Sequence, residues 1–169
     1  MGVIASVRHL FTNDDGSLPD IYVLGLTSTE ADELYRSIRL QTLDPGDAVT
    51  WSNSEQASIP IRELVNPAES LAKGLIALFR HLLGGFAPSG TELPELTVAM
   101  EPDHISFDHR MGAHWTDDAI EALLAFLARI KRAHPNARIV RADEGSHEYS
   151  DREFEEAVNV LAAMCRSPS

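Results

Sequence analysis

The sequence predicts an α+β fold, a single domain with a mixed or mostly antiparallel sheet and about four helices packed on it. Three observations carry that expectation. Short alternating or apolar runs recur in pairs joined by turn residues, as at 96–101 and 104–110. Between such pairs stand longer segments with helical spacing and start signals, such as Thr116 followed by Asp117 and Asp118. The chain has 169 residues, 44% of them hydrophobic and 24% charged, which suits one domain over residues 1–169 with a real core.

Alternation in Val3-Ile4-Ala5-Ser6-Val7-Arg8 and the apolar run 21–26 read as two strands. Asn13-Asp14-Asp15-Gly16-Ser17 between them is turn chemistry, so a hairpin is expected to open the chain. Thr27 is a helix cap with Glu30 three residues on, and Leu34 and Ile38 supply the apolar stripe of that helix. Asp44-Pro45-Gly46-Asp47 is a tight turn, followed by a short strand at 48–51. Residues 52–58 are polar and without period, an exposed loop. Ile59-Pro60-Ile61 reads as an edge segment, because proline has no amide to give a ladder.

A second helix is expected over 66–84. Asn66 is its cap, Pro67 its first residue, and Glu69 reaches back. Leu71, Leu75, Leu78 and Leu82 form its stripe, widened by Ile76, Phe79 and Leu83, before Gly84-Gly85 ends it. Residues 86–94 are a long connection. The next two strands pair across Pro102-Asp103. With Glu101 facing His104, one face carries Leu96, Val98, Met100, Ile105, Phe107 and His109, and the other the polar alternates, which is the register that separates apolar from polar.

Thr116 then starts a helix with Ile120, Leu123, Leu124, Leu127 and Ile130 inside and Pro135 as its stop. Residues 138–142 are a strand. Ser150 with Glu153 makes a capping box and Tyr149 with Phe154 a hydrophobic staple for a last helix that reaches about Cys165.

Composition narrows function by exclusion. One cysteine, Cys165, leaves no disulfide framework and no cysteine zinc site; near a helix end it is packing rather than a nucleophile. No apolar run approaches the ~20 residues a spanning helix needs, and the N-terminus lacks the pattern of a signal peptide, so the expected address is the cytoplasm. Met1-Gly2-Val3-Ile4-Ala5-Ser6 fits the permissive myristoylation pattern, but a plain first strand explains it as well. Twenty-six acids against fourteen bases give a formal net charge of −12. That field repels nucleic acid and anionic lipid and favours a basic protein partner. No Gly-x-Ser-x-Gly elbow and no phosphate-binding loop occurs, and no cofactor is expected.

Two groups of residues remain as candidates. His104, His109 and His114 stand beside Asp103 and Asp108, the residue types of a metal-dependent hydrolase. On one strand, however, His104 and His109 point to opposite faces, so His104 is expected to meet Asp108 and only a loop brings in His114. His104, Asp108 and His114 are therefore the alternative catalytic set, with no metal expected. The other group is electrostatic. Five bases and no acid lie between Arg129 and Arg141, and seven acids with one base between Asp143 and Glu156. Helix dipoles explain much of this, but not the acidic loop containing Asp143, Glu144, Glu148 and Tyr149. A second loop offers Trp51, Glu55 and Arg62, interface-type residues, although Trp51 at a strand end reads equally well as core.

The leading expectation is a non-catalytic acidic binding protein, an inhibitor or immunity-type antitoxin that masks a basic enzyme or toxin. The alternatives are a small hydrolase on the His/Asp cluster, with or without a metal, or a structural or regulatory subunit self-associating through the apolar helix over 71–83.

Overall fold

The computed structural model describes residues 2–43, 48–142 and 150–164. Five strands make the main sheet: β4 (Phe79–Leu83), β5 (Leu96–Met100), β6 (His104–His109), β1 (Asp20–Leu24) and β7 (Arg138–Ala142), in that spatial order. Every neighbouring pair is antiparallel. A separate hairpin joins β2 (Val49–Ser52) to β3 (Ala57–Pro60). The helices are α1 (Val3–Val7), α2 (His9–Thr12), α3 (Ser28–Leu40), α4 (Pro67–Ala72), α5 (Asp117–Ala133) and α6 (Arg152–Met164), with a 3-10 turn at Ile61–Glu63. This is the expected α+β class, with an antiparallel sheet.

Register builds the inner face in rows. Phe79, Met100, Ile105, Val23 and Ile139 form one row, and His81, Val98, Phe107, Ile21 and Arg141 the next. Helices cover this face. Tyr35 of α3 meets Phe79 edge-on at 5.6 Å between ring centroids, and Phe126 of α5 meets Phe107 at 6.0 Å. The expected β5–β6 register is the one found: Leu96 lies opposite His109 and Met100 opposite Ile105, and the Glu101 amide donates to the His104 carbonyl.

Local signals explain α3 and α5. The Thr27 side chain accepts from the Glu30 amide while the Glu30 carboxylate accepts from the Thr27 amide, a complete capping box. Thr116 accepts from the Ala119 amide at 3.2 Å, and the predicted inner residues of α5 are all buried.

Four expectations are corrected. Residues 3–8 are not a strand: α1 and α2 bury Val7 and Phe11, one helical turn apart, and the Phe11 ring packs on Phe154 of α6. The apolar residues there satisfy both periods, and the partner that decides is the distant α6. The helix expected over 66–84 stops at Ala72. Gly74, at φ +67°, turns the chain out of the helix, and β4 follows with Phe79, His81 and Leu83 inside. Leu75, Leu78 and Leu82, the supposed stripe, are exposed. Asn66 makes no cap bond either; the buried Asp32 of α3 takes the Ala68 and Glu69 amides at 2.7 and 3.2 Å. The loop expected at 52–58 is a hairpin turn plus β3.

At the last helix, α6 starts one residue later than the expected box requires. Ser150 instead bridges Ala142 and accepts a bond from Arg138. The turn expected at 44–47, Tyr149 of the expected staple, and Cys165 lie outside the described residues.

Candidate functional site

The outer face of the sheet carries the chemistry. Period two puts Asp20 and Tyr22 of β1 on this face with His104, Ser106 and Asp108 of β6 and Arg80 of β4. Asp20 and Asp108 stand directly opposite each other on adjacent strands. The Tyr22 hydroxyl donates to Asp20 at 3.1 Å, and Arg80 pairs with Asp108. Burial first, and then the Asp20 carboxyl beside it, push Asp108 up to about 7. Burial, with Asp20 again behind it, holds the Tyr22 phenol protonated to about 12.

The expected His104–Asp108 pair does not form. His104 Nδ1 bonds Asp103 at 2.8 Å, its ring lies 5.3 Å from that of Tyr22, and Asp108 belongs to Arg80 and Asp20. The reason is strand geometry: same-face residues four apart on one strand are separated by about 13 Å of rise. His114 is elsewhere again, in the β6–α5 loop, where its Nε2 donates to the Arg110 carbonyl at 2.9 Å. Among the described residues, no three histidine, cysteine or acidic side chains stand close enough together to hold a metal ion.

His109 faces inward, as the register required, but is not the hydrogen-bonded residue a buried histidine usually is. It is 1% exposed, sits between Phe11 and Trp115, and neither ring nitrogen has a partner. Burial, and next the Arg141 charge, lower its pKa to about 3, so the ring is neutral at ordinary pH.

No family model, no curated protein and no solved structure matches this chain.

The hairpin gives the other candidates a setting. Thr50 and Ser52 point inward, Thr50 donating to the Ala77 carbonyl at 2.7 Å, so Trp51 between them points out and is 45% exposed. The neighbouring chain runs alongside, Ala77 donating to the Trp51 carbonyl and Asn53 to that of Leu75. The same alternation leaves Val49 and Leu75 exposed beside Trp51. Glu55 is at the hairpin tip and Arg62 in the 3-10 turn past its base, so the three predicted contact residues are spread over the hairpin and the turn that follows it. Asp143, Glu144, Glu148 and Tyr149 lie outside the described residues.

Sequence reasoning missed Asp20 as the partner of Asp108. The signal was available only through the pairing of β1 with β6, strands more than eighty positions apart in the chain.

What distinguishes the surface is the fate of its charges. Arg8, Lys73, Arg80, Arg138, Arg141 and Arg152 are paired with Asp117, Glu69, Asp108, Glu155, Asp151 and Glu156. Arg129 and Lys131 donate to main-chain carbonyls. Among the described residues, Glu33, Glu55, Glu63, Glu92, Glu95 and Glu121 are exposed and form no ion pair. Among the described residues Arg36, Arg39, Arg110 and Arg132 form no ion pair either, but the unpaired exposed acids outnumber them.

Proposed function

We propose that this protein is a non-catalytic acidic binding protein that covers a basic protein partner, in the manner of an inhibitor or immunity-type antitoxin. The observation that carries the reading is the surface charge: −12 overall, with exposed carboxylates that form no ion pair among the described residues. Such a field accelerates encounter with a cationic surface and disfavours nucleic acid. Trp51, with Val49 and Leu75 beside it, supplies an exposed apolar anchor of the kind that dominates docking energetics. No helix among the described residues is long and apolar enough to cross a membrane.

The test is capture of a partner from the cells that make the protein, at about 0.1 M and about 1 M salt, where screening lengths differ several-fold. A stoichiometric basic protein, retained at low salt, released at high salt and weakened by Trp51→Ala, is the expected result. Capture of nothing, or only of acidic or nucleic-acid-bearing material, overturns the reading.

A second reading, a small hydrolase, is supported by one observation, the Asp20–Asp108 carboxyl pair with Asp108 raised to about 7. A carboxyl group that titrates near neutrality can serve as a general acid or base. Turnover of a chromogenic ester, phosphate or glycoside, abolished by Asp108→Asn, would favour it. The helix invoked for self-association ends at Ala72, while Leu75, Leu78 and Leu82 remain exposed, so the mass in solution decides that alternative.

A further inference from the structure

We infer that a basic partner docks in the groove along the N-terminal half of α5, where two adjoining cavities each take one lysine or arginine side chain. The inference rests on the reading of this protein as a binder of basic partners and assigns that binding to a place. Residues 89–95 run beside the first turns of α5 and contribute to a cavity on each side. One, of about 570 Å3, is formed by Leu93, Pro94, Thr116 and Ala119, with the exposed Glu92 and Glu95 among its lining side chains. The other, of about 280 Å3, is formed by Ser89, Thr91, Ala122 and Ala125, with the exposed Asp118 and Glu121.

Both cavities combine small or apolar side chains with exposed carboxylates, and the larger is lined by His114 as well. Small or apolar side chains suit the aliphatic stem of a lysine or arginine, and carboxylates at the opening suit its charged head. None of these four acids is in an ion pair among the described residues, although six cations elsewhere in the chain are so engaged. Arg110 also lines the larger cavity, where its guanidinium offsets part of the attraction of Glu92 and Glu95 for a basic side chain.

The groove is preformed. Phe86 packs edge-on against Phe126 of α5 at 5.3 Å, and the Leu93 amide donates to the Phe86 carbonyl at 2.8 Å. Arg129 of α5 holds the other part of the segment, donating to the Pro88 carbonyl at 2.5 Å and to the Ser89 hydroxyl at 3.1 Å. Binding therefore orders little that is not already ordered, which keeps its entropic cost low.

The experiment uses an oligoarginine peptide as probe, with affinity measured by titration calorimetry at low salt and the contact surface mapped by amide chemical shifts. Two triple variants of equal net charge are compared: E92Q/E95Q/E121Q in the groove, and D15N/E33Q/E63Q away from both the groove and the hairpin. The groove triple is expected to weaken binding about tenfold, three exposed charge contacts of modest strength each, and the remote triple less than about twofold. Shifts are expected at 89–95 and 116–125. Equal losses in the two triples, or shifts centred on the hairpin at 49–59, overturn the groove while leaving the binding function standing. Failure of the wild-type protein to bind the peptide at all overturns both.

Discussion

A buried histidine and a half-buried carboxyl give this protein a pH dependence of opposite signs. His109 has its folded pKa lowered to about 3. In the unfolded chain a histidine titrates near 6.5, so the unfolded state takes up protons first as pH falls below that value. Stability is fully present above about 6.5 and is lost towards pH 3. Asp108 acts the other way. Its folded pKa is raised to about 7, so between about 4 and 7 the fold keeps a proton that the unfolded chain releases, and stability falls as pH rises through that window. His109→Leu is expected to flatten the acid limb and to gain about 1 kcal/mol at pH 7, since two buried ring nitrogens have no partner to lose. Asp108→Asn is expected to flatten the limb between about pH 4 and 7. Urea unfolding of both variants at a series of pH values checks these outcomes, and an unchanged acid limb in His109→Leu would refute the first. At this scale the sequence was half legible. Alternation placed His109 inside and His104 outside, but whether a buried ring finds a partner depends on Phe11 and Trp115, which come from distant segments.

Among the elements, those with their own start signals were readable and those decided by a neighbour were not. Thr27 with Glu30 and Thr116 with its following acids define α3 and α5, and the β5–β6 register follows from alternation alone. In contrast, residues 71–83 carry apolar side chains that fit a helix at 71, 75, 78 and 82 and a strand at 79, 81 and 83. Pairing of Phe79 with Met100 and Leu83 with Leu96 settles it for the strand, and Gly74 is the visible stop. The short α4 then survives through tertiary contact, capped by Asp32 from another helix rather than by its own Asn66. Asp32→Ala is expected to cost about 1–3 kcal/mol, because it leaves two amides at the start of α4 without an acceptor, whereas Asn66→Ala costs less than about 1 kcal/mol. Chemical denaturation of the two variants checks the order; a larger loss for Asn66→Ala would show that the cap is local after all.

For the whole molecule, charge is the property that links sequence to the proposed function. The value of −12 is read from composition, but composition cannot say whether acids and bases neutralise each other on the surface. The fold answers that: ion pairs and carbonyl contacts engage most of the described bases, and the exposed carboxylates stay open to solvent. The candidate contact residues were legible only in part, since Trp51, readable either as contact or as core, is exposed, on a hairpin whose polar sequence reads as a loop. The central claim is that long-range charge, supported by an apolar anchor, holds a basic partner. The measurement that tests it most directly is the dissociation constant of the captured partner across salt from about 0.05 to about 1 M, a range over which the screening length shrinks several-fold. The account predicts an affinity that falls steeply and continuously with salt, mostly through a slower association rate. An affinity independent of salt would contradict it, leaving the acidic surface as a matter of solubility alone.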